Sequence, residues 1–189
     1  MARPLSPEKH HALLQAATAA VAEQGVLATT SSIAKRAGVA EGTLFTYFDG
    51  KDALLQALYL HLKQSLCDSV MPDYPHQGDH RQRLQHVFQG YVGWGLAHPL
   101  GRSAMARLSA SGLITEDTRN QGAEPFMAIF RMLEEAVQQG VLVQAPLTFL
   151  SSLIEHIADI TIEYVGKHPD DAGHYRALGF DMVWKALIQ

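Results

Sequence analysis

The stretch "IAKRAGVAEGTLFTYF" (Ile33–Phe48) carries two short helical segments around one glycine. Neither is long enough to hold a helix by itself in water. A helix-turn-helix accounts for the pattern, because its first helix ends in a tight turn and its second crosses the first steeply. Gly38 supplies the residue that tolerates positive φ at the turn. Ala34, four residues earlier, keeps the first helix thin at the crossing. Ile33, Ala37, Val39 and Leu44 are expected to lock the pair together. That leaves Glu41, Gly42, Thr43, Phe45, Thr46 and Tyr47 on the outer face of the second helix.

Such a helix fits the major groove of B-DNA, with its leading residues at the base edges. Thr43 and Thr46 suit bonds to bases or phosphates, and Phe45 suits a thymine methyl. The Tyr47 hydroxyl and Lys51 are placed for backbone phosphates. A helical hairpin that merely packs a core is the plainer alternative, but it leaves the exposed Phe-Thr-Tyr run without a purpose.

The flanks supply the core beneath this pair. Ser6 reads as an N-cap, Pro7 as the first helical residue and Gly25 as the closing residue of an opening helix. Leu13, Leu14, Ala17, Ala20 and Val21 form its apolar stripe. Short helices over Thr30–Ala37 and Glu41–Phe48 follow, then a longer one from Lys51 to Val70 behind Asp49. "MPDYPHQGDH" (Met71–His80), with two prolines and a glycine, reads as the connection between two halves. Further helices are expected near 81–97, 100–112, 116–139, 146–167 and 172–188, with Pro125 kinking or splitting the third.

The chain has 189 residues, a net charge of −4 and one cysteine, Cys67. That excludes an intrachain disulfide framework and a four-cysteine zinc site, and fits a reducing cytoplasm. No stretch is long and apolar enough to span a membrane, and the opening residues lack the apolar core of a signal peptide. Residues 1–63 carry a balance of +1 and the remainder −5, a slight asymmetry toward an anion-facing N-terminal module.

The C-terminal half reads as one interface and one cavity. Leu147–Val165 is apolar over more than half its helical circumference, and the last helix is apolar nearly all round. Both then need cover on two sides, most simply from the same pair in a second chain, with Leu153, Ile157, Ile160, Tyr164, Phe180, Val183, Trp184 and Leu187 at the contact. A monomeric bundle core is the alternative. Between head and interface, Gly90, Gly93 and Gly95 leave room beside Tyr91 and Trp94. Met105, Phe126, Met127 and Phe130 are candidates to complete an apolar ligand cavity, with ordinary core packing as the alternative at each position.

Catalytic and metal signals are weak. No nucleophile elbow, phosphate loop, paired-cysteine motif or HExxH is present. His156 and Asp159 fall on a polar arc, and His76, Asp79 and His80 on the proline-bearing connection. No cofactor is expected.

"TTSSIAKRAGVAEGTLFTYFDGKDALL" (Thr29–Leu55) resembles the signature of the TetR family of bacterial transcriptional repressors, with "IAxxAGV", "GTLFxYF" and the following lysine in register. The resemblance implies an all-α protein: a three-helix DNA-binding head over 1–50, continued by the helix 51–70, and a helical ligand-binding and dimerisation body over 71–189. It implies a homodimer on a palindromic double-stranded operator, released by a small, largely apolar effector. Carried over by position, the DNA contacts are Thr30 or Ser31, Lys35, Glu41, Gly42, Thr43, Phe45, Thr46, Tyr47 and Lys51. Ala40 departs from the usual Ser or Thr cap, at a cost of about 1 kcal/mol, and Phe45 from a common tyrosine. Between Gly25 and Ile33 the chain is one residue shorter than in many relatives. Glu41 is unfavourable near phosphates but can accept a bond from a cytosine amino group. A helical ligand-binding or protein-interaction module without DNA binding is the rival reading.

Overall fold

The computed structural model describes residues 5–189; Arg3, counted in the N-terminal charge balance, lies outside them. Helix α1 spans Pro7–Gln24 and starts as the sequence predicts: Ser6 Oγ accepts the Lys9 N–H at 3.3 Å, and Pro7 stands just inside. Gly25, at φ 70°, closes it with its N–H on the Val21 carbonyl. Helix α2 spans Thr30–Arg36, capped by Thr29, whose hydroxyl accepts the Ser32 N–H at 3.1 Å. Gly38 turns the chain at φ 70°, and the Val39 N–H reaches back to the Ala34 carbonyl at 3.0 Å. Helix α3 spans Glu41–Tyr47 with no side-chain cap from Ala40. Ile33, Ala34, Leu44 and Phe48 are buried with Leu13, Leu14, Ala17, Leu54, Leu55 and Leu58. Ala37 and Val39, expected to help lock the pair, are only half-buried; backbone bonds at the turn hold that part instead.

Helix α4 runs over Gly50–Val70, α5 over His80–Ala97, α6 over Pro99–Ala110 and α7 over Glu116–Ala123. Helix α8 covers Met127–Gln138, α9 Leu147–Lys167 and α10 Ala172–Leu187. The expected 116–139 helix is two, because Pro125 lacks the N–H that would continue the ladder; a 3₁₀ turn, Glu124–Phe126, separates α7 from α8. Among the described residues, the only pairing outside helices and turns is an isolated antiparallel bridge between Leu142 and Ile188.

Packing divides the chain into two compact units that differ from the sequence division at residue 70. The first comprises the residues up to Ser65 together with His98–Ala123, and the second Leu66–Ala97 with Glu124–Gln189. Helix α1 explains why 98–123 joins the head. Leu13, Leu14, Ala16, Ala17, Ala20, Val21 and Ala22 are all buried, an arc too wide for α2 alone to cover. Helix α6 packs on α1, with Ser103 Oγ donating to the Ala22 carbonyl at 3.4 Å. Gln56 of α4 clasps the loop before α7, donating to the Leu113 carbonyl and accepting the Thr115 N–H, both at 3.1 Å.

In the second unit, α5 packs against α8, α9 and α10. Phe88, Met132, Leu150, Phe180, Val183 and Leu187 are all at or below 1 % exposure there. The α9–α10 crossing is tight at Gly179, where an added Cβ would clash with Thr161 Oγ1. The Thr161 hydroxyl, buried at that contact, donates to the Ile157 carbonyl at 2.8 Å and so has a partner. The 71–79 connection is pinned by Tyr74, which is buried and accepts from Arg83 Nε at 3.1 Å.

Candidate nucleic-acid interface

With Leu44 and Phe48 anchored in the core, helical periodicity turns the rest of α3 outward. Glu41, Gly42, Phe45 and Thr46 are exposed, Phe45 by half its surface, while Thr43 and Tyr47 are half-buried. From α2, Ser31 and Lys35 are exposed and Thr30 is half-buried; Lys51, one residue into α4, is half-buried. All ten expected contact residues therefore lie in the first compact unit, and none is enclosed in the core.

Four of their side chains, Thr30, Glu41, Thr46 and Tyr47, have intramolecular hydrogen-bond partners. The Thr30 hydroxyl donates to Glu41 Oε1 at 2.7 Å, joining the starts of α2 and α3. Thr46 Oγ1 donates to the Gly42 carbonyl at 3.1 Å, so outward it presents acceptor lone pairs. The Tyr47 hydroxyl accepts the Ser6 backbone N–H at 3.0 Å and keeps its own proton to donate.

Neighbours of this surface emerge only from the structure. His10 of α1 packs on Tyr47 and Phe48, with ring centroids 6.2 and 5.1 Å apart. His11 meets His61 of α4 edge-on at 5.7 Å. Burial, and then the charges His11 and His10 would carry, hold His61 below the usual histidine range. Arg36 grips Glu23 with both terminal guanidinium nitrogens, Nη1 and Nη2, and so turns its charge toward α1. Tyr47 and Ser6 are 41 residues apart, so no local pattern announces their bond.

The residues expected around a cavity do not gather in one unit. Met105 belongs to the first; Tyr91, Trp94, Phe126, Met127 and Phe130 belong to the second. Met105, Trp94 and Phe126 are buried, Tyr91 and Phe130 half-buried, and Met127 is exposed, because the buried side of α8 is taken by Ile129, Met132, Leu133 and Ala136. Nor does Gly90 leave open room: an added Cβ would meet the Ser69–Val70 backbone at 3.1 Å.

The interface expectation also needs correction. Phe180, Val183 and Leu187 are buried within their own chain, Phe180 against Phe88 with centroids 5.9 Å apart, so they are unavailable to a partner. Helix α5 supplies the cover that a second chain was expected to provide. Ile160 and Tyr164 remain exposed, and Leu153, Ile157 and Trp184 half-buried. Phe149, Leu178 and Met182 add exposed apolar surface to the same two helices.

His156 Nδ1 lies 2.7 Å from the Ser152 carbonyl of its own helix. Among the described residues, no group of three or more His, Cys, Asp or Glu could hold a metal ion. Burial, then Asp68, pushes the half-buried Cys67 thiol above its usual range, which disfavours the reactive thiolate. No helix among the described residues is long and apolar enough to cross a membrane.

The family description "Bacterial regulatory proteins, tetR family" matches residues 13–58, from within α1 to the first turns of α4. The chain is 38% identical over 63 residues to YvdT, an uncharacterized HTH-type transcriptional regulator of Bacillus subtilis (strain 168). That match covers 33% of this chain and 32% of the relative, so the chain aligns with about a third of that protein's length. A tetR family transcription regulator from Shewanella sp. PV-4 superimposes with a TM-score of 0.84 at 26% identity, over 97% of this chain and 100% of that one. The regulator FadR from Bacillus subtilis, in complex with stearoyl-CoA, shares the fold with a TM-score of 0.67 at 20% identity, over 94% of this chain and 98% of that one.

Proposed function

Because this chain belongs to the TetR family of bacterial regulatory proteins, we propose that it is a ligand-responsive transcriptional regulator that binds a palindromic operator as a homodimer. The observation that carries this reading is the outward face of α3: Glu41, Gly42, Phe45 and Thr46 exposed while Leu44 and Phe48 fix the helix beneath. Thr43, Phe45 and Thr46 face base edges in this reading. Tyr47, Lys51, Lys35 and Ser31 hold phosphates. The exposed apolar strip of α9 and α10 joins two copies, whose heads then meet half-sites about 34–36 Å apart or a multiple of that.

A small, largely apolar effector would favour one arrangement of the body and thereby weaken the grip on DNA, through its differential affinity for the two arrangements. The resulting activity is repression, exerted in the cytoplasm, with no catalysis by the chain itself. The stearoyl-CoA complex of FadR suggests fatty acyl compounds as a first class to test.

The experiment is selection of bound fragments from random and genomic duplexes, then titration of salt on the winner. The expected result is a palindromic motif whose affinity falls steeply with salt. Retention of no duplex at low salt would overturn the reading in favour of a protein-interaction module. Repeating the selection with stearoyl-CoA tests the effector class: unchanged occupancy removes it.

A further inference from the structure

Thr30 and Glu41 join α2 to α3 on the outward face through a side-chain hydrogen bond, 2.7 Å from hydroxyl to carboxylate. This bond changes what each residue can do. A threonine hydroxyl has a single proton, and here it points at Glu41, so Thr30 is not poised to donate to a phosphate. Glu41 is restrained in turn: Oε1 is engaged, and Oε2 remains as an acceptor on an exposed face. Gly42 beside it adds no side chain to hold a duplex away, and an added Cβ there would meet nothing within 4 Å.

A carboxylate gains nothing among phosphates and can be satisfied in the groove only by a base amino group. The major groove offers two, on adenine and on cytosine. Adenine sets its N7 acceptor beside the amino group, where it repels a carboxylate; cytosine has no acceptor there. One available oxygen matches one amino donor.

We propose that Thr30 is a positioning residue that holds Glu41 to read the amino group of a cytosine in each half-site. This rests on the DNA-binding reading above and adds a base identity to it.

The test uses the full-length chain and a random double-stranded DNA pool, with wild type, Glu41→Gln, Thr30→Val and Thr30→Ser selected in parallel and their thermal unfolding compared. Wild type is expected to select a C·G pair at one position of each half-site, and replacing that pair should weaken binding by about ten-fold or more. Glu41→Gln should move the preference toward adenine, which a carboxamide can contact through both N6 and N7. Thr30→Val should shrink the discrimination several-fold at unchanged melting temperature, and Thr30→Ser should restore it.

Identical motifs for wild type and Glu41→Gln would overturn the proposal while leaving DNA binding intact. Undiminished cytosine selection by Thr30→Val would overturn the positioning role. Absence of any selected duplex with wild type would instead remove the underlying function.

Discussion

At Tyr47 a single oxygen accepts the Ser6 N–H and still carries a proton directed elsewhere. In Tyr47→Phe both bonds disappear, and a hydrogen bond to a charged acceptor is worth about 1.5–3 kcal/mol. Duplex affinity should therefore drop about ten-fold or more, equally for all sequences, in a fluorescence-anisotropy titration. Lys51→Ala should act on a different axis, flattening the dependence of log affinity on log salt by about 0.9 for each phosphate it no longer neutralises. His61 offers a measurement independent of DNA. Its folded-state affinity for protons is depressed, so the unfolded chain binds more protons in the acid range. Stability should be fully present above the ordinary histidine value of about 6.5 and decline as pH falls below it, and His61→Gln should remove that arm of the melting profile. At this scale the sequence reveals the outward side of α3, because Leu44 must turn in; that Phe48 joins Leu44 in the core is seen only in the structure. It does not reveal that Thr30 faces Glu41 or that Tyr47 faces Ser6, since those bonds depend on how separate helices meet.

Helices α2 and α3 depend on Gly38 at φ 70° and α9 and α10 on Gly179, for different reasons. Alanine at Gly38 finds open space but a left-handed backbone, which costs a residue with a side chain about 1–2 kcal/mol. Alanine at Gly179 would drive its methyl into Thr161 Oγ1 and toward Phe88 Cζ, 3.1 Å away. Overpacking of this kind costs about 1–3 kcal/mol or more. In urea melts Gly179→Ala should be the more damaging, and adding Thr161→Ala should recover part of the loss, whereas Gly38→Ala gains nothing from it. Helix starts at Ser6-Pro7 and the break at Pro125 are readable because caps and prolines act locally. The role of Gly179 is not readable, for its meaning comes entirely from Thr161 on another helix. Periodicity likewise marks α9 and α10 as apolar on two sides without saying which side the chain covers itself. Phe180, Val183 and Leu187 therefore read as interface, with core as the alternative, and only the position of α5 decides for the core.

For the whole molecule the decisive surface is the remaining apolar strip on α9 and α10. Ile160 and Met182 are 57% and 54% exposed, so charging them should spare the fold. Ile160→Glu with Met182→Glu is expected to sediment as a monomer with an unchanged helical spectrum, and to lose its advantage on a palindrome over a single half-site. A persistent dimer would move the contact elsewhere. The seating of α6 against α1 reaches further. A chimera that transplants only the residues up to Val70 onto a foreign sensor would leave α1 bare where Ser103 now meets Ala22. Such a hybrid should aggregate or misfold unless the donor's 98–123 segment travels with it, so exchanging operator preference between regulators of this architecture calls for two splices of the chain.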